Sequence, residues 1–167
     1  MNSEATFSFV PLDSKRHDRD AFTCGEPSLD RYLKTQVSQE TKRGFSACFV
    51  AATPEGRIAG YYTLSAYAVL VNDLPDSTRR KLPTYPTVPT YLLGKLAIDV
   101  DFQGRGLGGA LLADALTRVC QAEIPAFALV VDALNDTAAS FYTHHGFAPF
   151  ASASNRFFLP LATARKA

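Results

Sequence analysis

Four glycines stand close together between residues 104 and 109, in the stretch FQGRGLGGALL. An apolar run, YLLGKLAIDV, precedes them, and leucines and alanines spaced for one face of a helix follow. The first amides of a helix lack an intrahelical partner and carry the positive end of the peptide dipole. Glycines before such a helix let a phosphate approach without meeting a Cβ atom. Residues 103–109 therefore predict an anion-binding turn at a strand-to-helix junction.

This turn fits a second phosphate-binding motif in part. Gly104, Gly106 and Gly109 satisfy G-x-G-x-x-G, and Asp132 lies near the end of the next predicted strand, about where a dinucleotide site would have its ribose ligand. Only 58 residues follow Gly109, however, which is too few for a doubly wound sheet. A P-loop is excluded because no Gly-Lys-Ser/Thr triplet follows. A glycine turn used only for tight packing is the remaining alternative.

The apolar pattern around the turn predicts an α+β protein, with helices flanking a mixed and mostly antiparallel sheet. Strands are predicted at 7–12, 46–53, 58–71, 91–100, 127–134, 147–152 and 156–161. Helices are predicted from Pro27 to before Gly44, from Leu107 to before Pro125, and from Asn135 to Gly146. PEGR predicts a hairpin turn and Gly60 a bulge. Four prolines between residues 72 and 90 predict a loop with at most one short helix.

Length and composition predict a single domain, residues 1–167, of an ordinary globular protein with 47% hydrophobic and 20% charged residues. The three cysteines form no CxxC pair, which is typical of free thiols in a reducing compartment. Because neither a leader pattern nor an apolar run of about 18 residues is present, we expect a cytoplasmic protein without a membrane partner. The net charge of +1 does not by itself indicate a nucleic-acid partner.

The stretch LAIDVDFQGRGLGGALL resembles the acetyl-CoA signature of the GNAT superfamily of N-acetyltransferases. Gln103, Gly106 and Gly108 match its pattern Q/R-x-x-G-x-G/A, and the predicted order of elements follows the GNAT fold along nearly the whole chain. The resemblance implies a parallel, splayed strand pair at an acetyl-CoA site, with no metal. It also implies coenzyme contacts from Leu96, Ala97 and Ile98 with the pantetheine arm, from Gln103, Gly104, Arg105, Gly106, Leu107, Gly108 and Gly109 with the pyrophosphate, and from Asn135, which is also a candidate N-cap.

Acetyl transfer from a thioester to an amine needs a proton for the departing thiolate, and a neutral phenol can donate one. Tyr142 is the candidate general acid, because the resemblance implies a tyrosine of this helix near the coenzyme sulfur. Simple packing beside Phe141 is the alternative. His144 and His145 are adjacent on a helix and do not share a face, so no metal site is predicted. Cys24 has no histidine at a motif-like distance and is a weak candidate nucleophile.

No residue stands out as a general base, which favours an α-amine as the acetyl acceptor. A free α-amino group has a pKa of about 8 and is partly neutral, whereas a lysine side chain has one of about 10.4. A narrower resemblance, to the GNAT toxins of bacterial toxin-antitoxin pairs, is carried by FTCGEPSLDRYLK, LPDSTRRKLPTYPTVPTYLLGKLAID and SFYTHHGF. It implies acetylation of the α-amine of aminoacyl-tRNA and a block of translation.

Cationic side chains supply the RNA contacts that this function would need. Arg79, Arg80 and Lys81 form a basic run in the proline-rich segment, and Lys95 and Arg105 lie nearer the predicted cleft. An ordinary solvated loop is the alternative. The resemblance also implies two protein partners, a ribbon-helix-helix type antitoxin and a second copy in a homodimer. Two other functions stay open, acetylation of a small amine or protein N-terminus, and a non-catalytic nucleotide- or CoA-binding module.

Overall fold

The computed structural model describes residues 6–153 and 155–166. In that part of the chain the strands are β1 (Ser8–Pro11), β2 (Ala47–Ala52), β3 (Ile58–Leu70), β4 (Thr87–Ile98), β5 (Ala128–Asp132), β6 (Ala148–Pro149) and β7 (Arg156–Pro160). The α-helices there are α1 (Pro27–Arg31), α2 (Val37–Lys42), α3 (Asp76–Arg79), α4 (Leu107–Gln121), α5 (Asp136–His144) and α6 (Leu161–Arg165). A π-helical turn, Tyr32–Gln36, joins α1 to α2.

The strands form one mixed sheet in the order β1, β2, β3, β4, β5, β7, β6. The pairs β1–β2, β2–β3, β5–β7 and β6–β7 are antiparallel. By contrast, β4 and β5 are parallel and pair from Thr90 with Ala128 to Leu93 with Val131. This arrangement confirms the predicted mixed, mostly antiparallel sheet with one parallel pair.

The chain divides into two compact units, so the prediction of a single domain stays a prediction. The first unit comprises the described residues up to Ser65 together with Gly94–Ala115. Its main core brings the α1–α2 segment against β2, β3 and the end of β4. The buried members of that cluster are Phe22, Tyr32, Leu33, Val37, Cys48, Val50, Ala52, Ile58, Tyr61 and Ala97.

The second unit comprises Ala66–Leu93 and the described residues from Leu116 onward. Its core is built from the second half of β3, the first half of β4, and strands β5 and β7. The buried members are Val69, Leu74, Val88, Ala128, Val130, Phe150 and Phe158. The phenylalanines Phe150 and Phe158 meet edge to face, with ring centroids 5.5 Å apart.

The helix predicted after Pro27 is interrupted by the π-helical turn. The amide of Val37 donates to the carbonyl of Tyr32, five residues back, so these two residues lie above one another and both are buried. The Arg19 guanidinium donates to the Leu33 carbonyl at 3.4 Å and to Ser38 Oγ at 3.0 Å, which braces the turn. An ideal α-helix would have aligned Tyr32 with Gln36 instead.

One further prediction differs from the structure, and one short helix was not predicted. The predicted loop at residues 72–90 is too long, because β4 begins at Thr87 and includes Pro89. Pro89 precedes the residues that pair with β5, and its carbonyl accepts a hydrogen bond from the Phe127 amide, so the proline lies at the start of this ladder. The short helix predicted in this segment is confirmed as α3. Helix α6 was not predicted, since its five residues are too few to show a helical period.

Candidate active site

The glycine turn joins β4 to α4 in the first unit. Gly104 and Gly106 both have φ of +79°, a conformation that side chains with a Cβ rarely adopt. A Cβ built at either position would meet no atom within 4 Å, so the space beside this backbone is open. The first backbone hydrogen bond of α4 is donated by the Ala110 amide to the Gly106 carbonyl. The amides before Ala110 therefore have no acceptor within the helix. These features fit a phosphate against bare amides.

Close packing fixes the start of α4 against the sheet. A Cβ at Gly60 would lie 2.8 Å from Leu111 Cδ1, 3.0 Å from Ile98 Cδ1 and 3.1 Å from the Ala97 carbonyl oxygen, so any larger residue would have to displace these neighbours. The register of β2 with β3 also shifts beside Gly60, where Ala59 is the extra residue. The predicted bulge is thus confirmed.

A buried carboxylate secures the strand end that leads into the turn. Asp99 is fully buried, and it accepts hydrogen bonds from the amides of Thr23 (3.1 Å) and Asp101 (2.9 Å). The Arg57 guanidinium pairs with Asp99 at 3.2 Å and also with Asp101. Sequence reasoning missed Asp99 and Arg57. The sequence signal that could have identified Asp99 is its position at the end of an apolar strand, because a carboxylate buried there requires hydrogen-bond or ionic partners.

The side chain of Gln103 braces the turn from the outside. Its amide nitrogen donates to the carbonyls of Cys24 (3.0 Å) and Ile98 (2.9 Å). Two cations lie beside the turn, since the guanidinium carbons of Arg57 and Arg105 are 4.9 Å and 5.5 Å from the centre of the Phe102 ring. Asp99 and Asp101 offset the charge of Arg57, so Arg105 supplies the positive charge beside the open amides, and this combination suits a diphosphate.

The remaining predicted coenzyme residues of this unit differ in exposure. Leu96 and Ile98 are half-buried, as are Gly108 and Gly109, whereas Ala97 and Leu107 are buried. The side chain of Ala97 belongs to the core, so only its backbone is left for a ligand. Arg105 is exposed.

Tyr142, on α5 in the second unit, is 4% exposed. Its ring packs between Phe141 and Phe147, with centroid distances of 5.3 Å and 5.5 Å. Burial first, and the charge of Asp132 second, raise the pKa of Tyr142 to about 12, so the phenol is protonated at neutral pH. Its hydroxyl forms no hydrogen bond with another described residue. Among the described residues, every buried side-chain nitrogen and oxygen atom has a hydrogen-bond partner. The protonated hydroxyl is therefore not engaged by an acceptor among the described residues.

Asn135 caps α5, because its side-chain oxygen accepts from the Ala138 amide at 2.9 Å. This confirms the N-cap interpretation and leaves the amide nitrogen of this exposed side chain for other contacts. Asp132, the candidate ribose ligand of a dinucleotide site, instead pairs with Arg156 through both oxygens, at 2.8 Å and 3.3 Å. That ion pair counts against the dinucleotide interpretation.

Comparison with known proteins decides the family. Residues 14–147 match the family model described as "Acetyltransferase (GNAT) family". The chain belongs to the GNAT acetyltransferases. It is 43% identical over 136 residues to a "tRNA-acetylating toxin" of Mycobacterium tuberculosis (strain ATCC 25618 / H37Rv), covering 80% of each chain. It is 30% identical over 165 residues to a "Probable toxin TacT" of Sinorhizobium fredii (strain NBRC 101917 / NGR234), covering 93% of this chain and 91% of the relative.

Solved structures agree with the GNAT fold. AtaT complexed with acetyl-methionyl-tRNAfMet superposes with a TM-score of 0.89 at 31% identity, over 96% of this chain and 98% of that one. AtaTR bound with AcCoA superposes with a TM-score of 0.84 at 30% identity, over 96% of each chain. The predicted GNAT resemblance is confirmed.

The predicted RNA-contacting cations of this GNAT chain are not equivalent. Arg79 pairs with Asp76 one helical turn away and also bonds to Asn72. Arg80 and Lys81 are exposed and form no ion pair within the described residues. The basic run therefore offers two free charges rather than three.

Lys95 of the GNAT chain lies on β4 in the first unit. Its amide donates to Thr63 Oγ1 at 3.0 Å, and its ammonium is 5.0 Å from the centre of the Tyr32 ring. Its side chain is half-buried.

Other reactive groups in this acetyltransferase are isolated. No group of three or more His, Cys, Asp or Glu side chains placed to hold a metal ion occurs within residues 6–153 and 155–166. His144 and His145 are exposed at the end of α5. Burial raises the pKa of the Cys24 thiol to about 11, which disfavours the thiolate that a nucleophile needs. Across the described helices, none is both long and apolar enough to cross a bilayer.

Proposed function

We propose that this chain is an acetyl-CoA-dependent N-acetyltransferase toxin that acetylates the α-amine of aminoacyl-tRNA and thereby blocks translation. The observation that carries the proposal is the open, positive-φ glycine turn in a GNAT chain that is 43% identical to a tRNA-acetylating toxin. Its likeness to AtaT in complex with acetyl-methionyl-tRNAfMet supports the same substrate class.

In this proposal the backbone of residues 103–109 binds the coenzyme diphosphate at the start of α4. The open space at Gly104 and Gly106 supports that role, as does the charge of nearby Arg105. The backbone of Leu96, Ala97 and Ile98 pairs with the pantetheine arm, and the free amide nitrogen of Asn135 adds a hydrogen bond. The complex of AtaTR with AcCoA supports acetyl-CoA as the cofactor.

Tyr142 is the proposed general acid. When bound, acetyl-CoA supplies an activated acetyl group; as the acceptor nitrogen forms its bond to the carbonyl carbon, the carbon–sulfur bond breaks. The phenol of Tyr142 gives its proton to the departing sulfur, and the proton that the newly acylated nitrogen releases returns through water to the Tyr142 phenolate, so the amide, the free thiol and the neutral phenol result. The Tyr142 phenol is protonated at neutral pH and donates to no other described residue, which supports this role. The similar solved structures include variants of AtaT and of KacT in which phenylalanine replaces one tyrosine.

The proposed acceptor is the α-amine of an amino acid whose carboxyl group is esterified to tRNA. A fraction of such amines is neutral at physiological pH, so no strong general base is required. Arg80, Lys81 and Lys95 supply contacts with the RNA backbone, while Arg79 mainly stabilises α3 through Asp76. Such contacts add affinity without reading sequence and weaken as salt rises.

The proposal includes a cytoplasmic location, where charged tRNA is found, and two protein partners. One is an antitoxin of the ribbon-helix-helix type that neutralises the toxin, and the other is a second copy of the chain in a homodimer. The structure of AtaT with the C-terminus of the antitoxin AtaR and the KacTA–DNA complex support an antitoxin partner.

The test is acetyl transfer from labelled acetyl-CoA to purified aminoacyl-tRNA. We expect acetylation by the wild-type protein and a 10²- to 10⁴-fold lower kcat, roughly, for Tyr142→Phe, because only the proton donor is lost. Tyr91→Phe is the matched control. It removes a phenol that donates to the Ile124 carbonyl, and we expect it to keep its activity. A wild-type protein that leaves every aminoacyl-tRNA unacetylated would contradict the proposal.

A further inference from the structure

Lys95 is a half-buried cation without a carboxylate partner. Its ammonium lies 5.0 Å from the centre of the Tyr32 ring, in the range of a cation–π contact. It forms no ion pair within the described residues. Charges that lose part of their water are usually paired, so this ammonium is suited to an anion that the chain itself does not provide.

Tyr32 is held rigidly beneath that ammonium. It is 4% exposed, and its ring stacks on Tyr61 with centroids 6.4 Å apart. Its hydroxyl donates to Glu40 Oε2 at 2.5 Å and lies 3.4 Å from Ser46 Oγ. Burial raises the pKa of Tyr32 to about 12, so the ring is neutral and its face can attract a cation. Glu40 is occupied at the hydroxyl end of the ring and does not neutralise Lys95.

The π-helical turn explains why Tyr32 occupies this place. Tyr32 is the first residue of the turn, and the five-residue hydrogen bond from Val37 brings both side chains onto the core face. Ala97 belongs to the same buried cluster. Because alternate residues of a strand share a face, Lys95 emerges from β4 on the side of Ala97 and therefore over Tyr32. Single π-helical turns often occur at functional sites.

We propose that Tyr32 is a positioning residue that holds the Lys95 ammonium ready to bind a phosphate of the RNA acceptor. The proposal rests on the proposed function for the identity of that phosphate. A free lysine loses much rotamer freedom when it binds a ligand, and a side chain already ordered on a ring loses less. A phosphate of the coenzyme could also bind an ammonium group. We assign Lys95 to the RNA because the amides of the glycine turn are already available for the coenzyme diphosphate.

A double-mutant cycle tests the coupling between these two residues. Uncharged tRNA binding is measured for the full-length wild type and for Tyr32→Leu, Lys95→Gln and the double variant, at several salt concentrations. We expect Tyr32→Leu to weaken binding about three- to tenfold, through the lost cation–π contact. In the Lys95→Gln background it should add nothing. Tyr32→Phe keeps the ring and should bind like the wild type.

The salt dependence separates the role in binding from a merely structural one. Lys95→Gln should lower the slope of log affinity against log salt by about 0.7 to 0.9, the value for one phosphate contact. Lys15→Gln, which removes an exposed charge elsewhere in the same unit, should leave the slope unchanged. This arm does not require Tyr32→Leu to fold.

Three results would overturn the inference. The first is an unchanged salt slope in Lys95→Gln, and the second is full additivity of Tyr32→Leu with Lys95→Gln. The third is a change in the salt slope of acetyl-CoA binding instead of tRNA binding, which would assign the phosphate to the coenzyme. A wild-type protein that binds tRNA but does not acetylate charged tRNA would contradict the proposed function. The binding data would still decide whether Tyr32 positions Lys95 for a phosphate.

Discussion

The glycine turn and the proline-rich segment at residues 72–90 are both assigned to phosphate, yet they are built differently. The turn offers backbone amides, and its shape depends on positive φ at Gly104 and Gly106 and on the buried anchor Asp99. The proline-rich segment offers the exposed side chains of Arg80 and Lys81, which nothing in the described chain fixes. Substitutions should therefore have large, salt-insensitive effects in the first region and small, salt-sensitive effects in the second.

The largest expected effect is at Asp99. Asp99→Ala leaves the amides of Thr23 and Asp101 and the Arg57 guanidinium without their buried partner. Because both amides then lack a charged acceptor, we expect a loss of about 2 to 4 kcal/mol in the free energy of unfolding, measured by urea denaturation. Asp101→Ala removes the exposed partner of the same arginine and should cost under about 1 kcal/mol. Equal losses in the two variants would refute the anchoring role of Asp99.

A smaller effect is expected at Gln103, whose exposed amide bonds to the carbonyls of Cys24 and Ile98. Gln103→Ala loses two hydrogen bonds that shape the turn, at about 1 kcal/mol each, and should raise the Kd of acetyl-CoA about tenfold. Isothermal titration calorimetry measures this change. Gln39→Ala, at an exposed position of α2, is the control for a lost glutamine and should leave the Kd unchanged.

The smallest effects are expected in the proline-rich segment. Arg80→Gln and Lys81→Gln should each raise the KM for aminoacyl-tRNA only a few-fold, and their effects should fade as salt rises. Arg79→Gln should chiefly lower the melting temperature, since its charge is already paired with Asp76. Steady-state kinetics at two salt concentrations check the first statement, and thermal denaturation checks the second. A loss of activity with Arg79→Gln that exceeds the losses at Arg80 and Lys81 would reverse the ranking.

The contrast also explains what could be predicted from the sequence. A turn that needs positive φ favours glycine, so the glycines after an apolar strand are visible in the sequence itself. Gly104, Gly106 and the start of α4 could therefore be predicted. The Asp99–Arg57 ion pair joins residues 42 positions apart, and no local pattern reveals such a partner.

The helical segments show a similar limit. Apolar residues spaced by three or four predicted a helix around Tyr32 but not its π-helical turn, because this spacing does not fix which carbonyl accepts a hydrogen bond from a given amide. The basic run predicted three equivalent cations, whereas the fold of α3 pairs one of them with Asp76.

The central claim is that the bare amides of the glycine turn bind the coenzyme diphosphate. The most direct measurement is the acetyl-CoA affinity of Gly106→Val by isothermal titration calorimetry, compared with Gly44→Val. Gly44 has φ of +77° and equally open space, but it follows α2 outside the turn, so both variants carry the same backbone strain. We expect Gly106→Val to lose affinity about 100-fold or more and Gly44→Val to bind normally. Equal affinities in the two variants would contradict the account.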